Sequence, residues 1–218
     1  MPIPLLKWMP EPPAKAPMAS RQHLISFVGN TMHGPGHPTL RNRMKYMLWS
    51  AAKEHNVSTK AYHGSDWRNV MVSSRMSLVP RGNGRTSFHL AETLHLGLVP
   101  IYVYSYTPWI PYEHLFPEIG FSVQLNGLPD LIKRLNDHSQ QNSSDFNQKL
   151  VAFEAQALAF AHSHFSILGV LQQIGLFLVS PDKSDLRCRA LPRTPRDMRW
   201  YIFERGARLC VGRTAFSL

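Results

Sequence analysis

At 218 residues, with 44% hydrophobic and 17% charged, the chain is long enough for one substantial domain with its own core and short for two. Its formal charge of +10, from 24 Lys and Arg against 14 Asp and Glu, points to an anionic partner: nucleic acid, membrane headgroups, acidic glycan or a nucleotide diphosphate. Cys188 and Cys210 build no disulfide framework and supply no metal-ligand spacing, and no apolar run is long enough to span a bilayer.

Residues 1–20 are rich in proline and read as an extended linker, the kind that would join a preceding domain. Their short apolar run is broken too often for a signal peptide or anchor, so the chain carries no targeting signal. His23 to Val28 predicts a first strand, followed by a loop, Gly29 to Pro38, with three glycines and two prolines. Thr39 to His55, with Met44, Met47, Leu48 and Ala51 on one stripe, predicts a helix. Val57 to Tyr62, Met76 to Val79, Leu98 to Tyr104 and Phe121 to Leu125 follow as strands. Helices are expected over Ser65 to Ser73, Thr86 to Leu96 and Leu128 to Leu135. After a polar break at Gln140 to Ser144, Asp145 to Ala161 and Ile167 to Val179 read as two closing helices. The alternation predicts an α/β fold, a Rossmann-like parallel sheet flanked by helices. Residues 181–218 form a basic tail in which Arg187, Arg189, Arg193, Arg196, Arg199, Arg205, Arg208 and Arg213 recur with few acids, the pattern of a solvated extension.

The chemistry concentrates between Ser74 and Tyr112, where the turn PRGNGR separates a strand from a helix. Gly82 and Gly84 let the backbone approach a ligand or take positive φ, Arg81 and Arg85 bring forked cationic donors, and Thr86 or Ser87 can cap the helix. The free N–H groups of a helix start attract phosphate. Glu92, about one and a half turns further on, can accept hydrogen bonds from the vicinal hydroxyls of a ribose or sugar. Tyr104, Trp109 and Tyr112 follow in an aromatic, proline-rich loop where they either stack on a sugar or base or pack locally. Glu113 and Glu118 lie in the same stretch. A Gly/Arg turn alone also serves plain chain reversal.

Other chemistries lack their signatures. His33 and His37 stand four apart, but Gly34, Pro35 and Gly36 lie between them; together with His162 and His164 they give no metal site. There is no Asp-x-Asp diphosphate-metal motif, no Gly-x-Ser-x-Gly elbow, no Walker loop and no Gly-x-Gly-x-x-Gly fingerprint, which counts against hydrolase, NTPase and dehydrogenase.

The string as a whole, PRG followed by GRTSF, Glu92 and LGLVPIYV, resembles the donor-binding core of the exostosin glycosyltransferases, glycosyltransferase family 47. RQHLISFVGN at Arg21 to Asn30 and HFSILGVLQQIGLFL at His164 to Leu178 resemble the same family's first strand and closing helix, so the likeness covers residues 21–180. It departs at His89, where many exostosins place an arginine. The resemblance implies the C-terminal, nucleotide-binding half of a GT-B enzyme, an inverting hexosyl- or pentosyltransferase that moves a sugar from a UDP-sugar to a glycan or glycoprotein acceptor without a further cofactor. Arg81, Gly82, Gly84, Arg85, Ser87 and Glu92 would bind the donor, with either arginine on the diphosphate; the acceptor half, the catalytic base and a Golgi address would lie elsewhere. The alternative reading is a noncatalytic basic module for anionic glycan or nucleic acid, with nucleic acid the less favoured ligand.

Overall fold

The computed structural model describes residues 4–6, 14–31, 39–81, 87–141 and 143–186. Five strands, β1 (His23–Val28), β2 (Thr59–Tyr62), β3 (Ser74–Pro80), β4 (Val99–Tyr104) and β5 (Phe121–Gln124), form one all-parallel sheet in the order β2-β1-β3-β4-β5. Register places Ser26 beside Ser77 and Pro80 beside Val103. The central strands are buried almost throughout, as parallel strands covered on both faces must be.

The described residues form six α-helices, α1 (Leu40–His55), α2 (Trp67–Val72), α3 (Phe88–His95), α4 (Leu128–Gln141), α5 (Ser143–His164) and α6 (Ile167–Val179), the last of them packed on α5. The chain moves from β1 to β2 in one direction and from β2 through β3 to β4 in the other. Right-handed crossovers then put α1 on one face and α2 and α3 on the opposite face. Three apolar clusters result among the described residues, the smallest of them Val28, Met71, Val72, Leu96 and Leu98 beside α2. Of the two larger ones, Met44, Leu48, Leu78, Ile101 and Ile132 anchor one under α1 and α4, and Val79, Leu90, Leu94, Tyr102 and Phe116 anchor the other under α3.

Helix α5 joins these layers. Phe146 and Leu150 pack into the first cluster, whereas Ala157, Phe160 and Ala161 pack into the second. Between them Glu154 meets the amino ends of the strands: its Oε1 accepts from Arg21 Nη2 at 2.7 Å, and Arg21 Nη1 donates to the Ser74 carbonyl at 3.1 Å. The turn into α6 depends on Gly169, where a Cβ would lie 2.1 Å from the Ser163 carbonyl oxygen. No single described helix is long and apolar enough to cross a membrane; α5 and α6 would reach that length only as a pair bent by 65°.

The parallel α/β expectation holds, with differences at the ends of elements. β3 runs from Ser74 to Pro80 because Ser74 and Ser77, polar in sequence, are fully buried there. α4 continues to Gln141 through the polar stretch Asn136 to Gln141, leaving only residue 142 between it and α5. The proline-rich segment is not free over its described end: Met18 is buried and Lys15 Nζ donates to Glu154 Oε1 at 2.6 Å. At the other end the packed fold passes residue 180. Ser184 Oγ donates to the Gln173 carbonyl at 2.9 Å and Leu186 is buried, whereas the arginine-rich stretch and both cysteines lie outside the described residues.

Candidate functional site

Because the strand order reverses at β1, the connections after β1 and β3 turn to opposite faces and leave a crevice between the carboxyl ends of these neighbours. That is where open parallel sheets bind their ligands. Two helix starts converge on it. Thr39 caps α1 by accepting from Asn42 N at 3.3 Å, and Ser87 caps α3 by accepting from His89 N at 3.2 Å. Neither first turn contains an acid. Both therefore present partial positive charge that no side chain of the same turn offsets.

Arg41 adds a whole charge on the β1 side. It is half-buried, and Nη1 donates to the Asn30 carbonyl at 3.2 Å. The guanidinium can lie this close to the chain because residue 29 is glycine, at φ +151°; a Cβ there would be 3.2 Å from Nη1. Burial lowers the pKa of Arg41 and the negative charge of Glu92 raises it again in part, so the two side chains feel one another across the crevice.

Glu92 is itself held from below. Its Oε2 lies 3.2 Å from His89 Nδ1, and His89 Nε2 lies 3.1 Å from the hydroxyl of Ser77, which is fully buried in β3. An ionised carboxylate only accepts, so Nδ1 carries a proton and donates. The chain Ser77–His89–Glu92 fixes the ring, and the ring fixes the carboxylate. Phe27 packs edge-on to the imidazole, 6.4 Å between centroids.

Of the residues expected at a donor site, Arg81, Ser87 and Glu92 are brought to this one crevice: Arg81 exposed at the end of β3, Ser87 at the helix start and Glu92 about one and a half turns later. Gly82, Gly84 and Arg85 lie outside the described residues. Tyr104 ends β4 on the same edge, half-buried and stacked on Tyr102 at 6.3 Å. Trp109 is tied down by its backbone, whose N–H donates to Tyr102 Oη at 3.3 Å. Tyr112 goes elsewhere. It is 3% exposed, ringed edge-on by Phe160, His164 and Phe165, and a ligand could not reach its faces without displacing them. An aromatic in a loop carries no mark of whether it packs inward, which is why the sequence grouped the three.

The enclosure of Tyr112 belongs to a second polar cluster. His164 Nε2 is 2.9 Å from Asp185 Oδ2, Gln173 Nε2 donates to the same oxygen at 3.3 Å, and Gln173 Oε1 accepts from Asp185 N at 2.7 Å. It pins the end of the packed chain to α5 and α6. Among the described residues no group of His, Cys, Asp and Glu could hold a metal ion.

No protein-family model matches the chain, and no curated protein matches it. Sequence marks His89 only as a departure from the exostosin pattern and gives no site role to Arg41 or Ser77. Arg41 lies forty residues before the Gly/Arg turn, and only the strand order brings it there.

Proposed function

We propose that the chain binds a nucleotide sugar in the β1/β3 crevice and forms the donor half of an inverting, exostosin-like glycosyltransferase. One observation carries the reading: two acid-free helix starts, a half-buried arginine and a hydrogen-bonded buried carboxylate share the crevice at which the strand order reverses. Cationic groups beside a single carboxylate suit a ligand that pairs a diphosphate with a ribose diol. The ordered string from Arg81 to Tyr104, with its likeness to exostosins, adds the sugar-transfer chemistry.

In that chemistry the glycosidic carbon separates from the diphosphate and negative charge grows on the leaving oxygen. Arg81, Arg85 and the start of α3 would meet that charge more strongly at the transition state than in the ground state. Loss of one such donor costs on the order of a hundredfold in turnover, the effect expected of Arg85→Ala in the full enzyme. An acceptor glycan and its base would come from a further half, and the working compartment would be the Golgi.

Calorimetry with UDP, AMP and inorganic phosphate tests the binding step. UDP should bind preferentially, and Glu92→Ala should weaken it roughly tenfold or more. The opposing reading, a basic module for polyanions, is favoured by the net charge of +10. It predicts instead no nucleotide preference, indifference to Glu92→Ala and an affinity for heparin that collapses as salt rises.

A further inference from the structure

We infer that Arg41 contacts the diphosphate of the bound nucleotide and that His89 is a positioning residue, which aims Glu92 at the ribose hydroxyls and so makes the site select ribonucleotides over deoxyribonucleotides. The inference rests on the nucleotide-sugar reading and adds residues and a specificity to it.

The case for Arg41 is electrostatic. Its guanidinium is half-buried in the first turn of a sixteen-residue helix, where the macrodipole is positive and a cation is disfavoured. Desolvation already lowers its pKa, and among the described residues its hydrogen bond is the single one to the Asn30 carbonyl. A forked group with five donors, held there against burial and against the helix dipole, is matched by an incoming anion with two oxygens. Glu92 on the opposite lip partly offsets the charge from a distance.

The case for His89 is geometric. Glu92 falls three residues after His89, one turn along α3, so both side chains share the helix face that looks onto β3. A carboxylate on three rotatable bonds would sample many positions. With Oε2 held by Nδ1 and the ring held by Ser77, the carboxylate is oriented before any ligand arrives. A vicinal diol donating both hydroxyls to one such carboxylate is a ribose feature that 2′-deoxyribose lacks.

Calorimetry on the full chain with UDP and dUDP, and nuclear magnetic resonance titration with uridine, tests both parts. The unaltered protein should prefer UDP to dUDP by about tenfold, the worth of one hydrogen bond to a charged acceptor. His89→Ala should erase that preference with little change in dUDP affinity, and His89→Asn, whose amide can replace Nδ1–H, should restore most of it. Ser77→Ala, cutting the far end of the relay, should lower the preference by a smaller factor and serves if His89→Ala fails to fold. Arg41→Gln should weaken UDP and dUDP by a similar factor, about tenfold or more, and leave uridine unchanged. If UDP binds with its ribose preference intact in the His89 and Ser77 variants, or with undiminished affinity in Arg41→Gln, the inference falls and the nucleotide site stands. If the unaltered protein binds neither UDP nor dUDP, both fall.

Discussion

Replacing Glu154 with alanine removes the carboxylate that faces Arg21 beneath the sheet. The Arg21 side chain is 0% exposed and that of Glu154 16%, with 2.7 Å between Nη2 and Oε1. Taking one partner from a buried pair costs about 3–5 kcal/mol, because the other charge is left in a medium that solvates it poorly. Arg21 would keep Nε on the Ala16 carbonyl at 3.1 Å and Nη1 on the Ser74 carbonyl, and Glu154 is not wholly dry, so the lower end applies: about 3 kcal/mol. For a domain of this size that is a fall in Tm of roughly 6–12 °C. Lys15 shares the same carboxylate at 2.6 Å, but its side chain is 29% exposed, and Lys15→Ala should cost under about 1 kcal/mol. Urea denaturation followed by far-ultraviolet circular dichroism measures all of these. A loss under about 1 kcal/mol for Glu154→Ala, or equal losses for Glu154→Ala and Lys15→Ala, would refute the claim that a desolvated guanidinium depends on this carboxylate.

Gly169→Ala drives a methyl group into the Ser163 carbonyl and should destabilise by about 2–3 kcal/mol, with faster hydrogen exchange confined first to α6; unchanged melting would show that the turn can relax. The phenol of Tyr112 is pushed well above the ordinary tyrosine range, by burial first and then by the Asp185 charge. Asp185→Asn should therefore bring its ionisation down while leaving it high, readable as phenolate absorbance, and no change would place Asp185 too far away to matter. His23 is held below the usual histidine range, by burial first and then by Lys60, so the folded protein takes up its proton less readily than the unfolded chain. Its contribution to stability is complete above about pH 6.5 and declines as pH falls below that value. Thermal melts of His23→Gln should lose this slope, and identical pH profiles would contradict it.

The centre of the sheet could be read from the chain because β1, β3 and β4 are short, largely apolar and bounded by breakers: Val28 is followed by glycine, Val79 by proline and the β4 run ends in a loop of aromatics and prolines. Periodicity found α1, where Met44 and Leu48 share one buried side, and α3, where Ala91 and Leu94 share another. It missed the far half of α4, which has no apolar stripe and is tied instead by Asn136, whose amide donates to the His55 carbonyl at 3.1 Å, and it clipped β3 because a buried serine such as Ser74 looks like a loop residue until its partners are known. The crevice was half visible. Arg81, Ser87 and Glu92 are near neighbours in sequence, so a local motif contains them. Arg41 reaches the same place only through the reversal of strand order, and the tie of Ser77 to His89 joins a strand to a helix across a turn. Local patterns carry no information about such a pairing. Tyr112 shows the converse: its loop position left ligand contact and local packing both open, and its neighbours in α5 bury it.

The helix that runs under the strands also sets the order in which the molecule can be completed. Until α5 has left the ribosome, Arg21 is a bare charge at the base of a half-lined sheet, and both apolar layers lack a wall that the last third of the chain must bring. Synthesis to the end of β5 should thus yield a nascent chain prone to chaperone capture, and compaction should come as one late event once that girder docks.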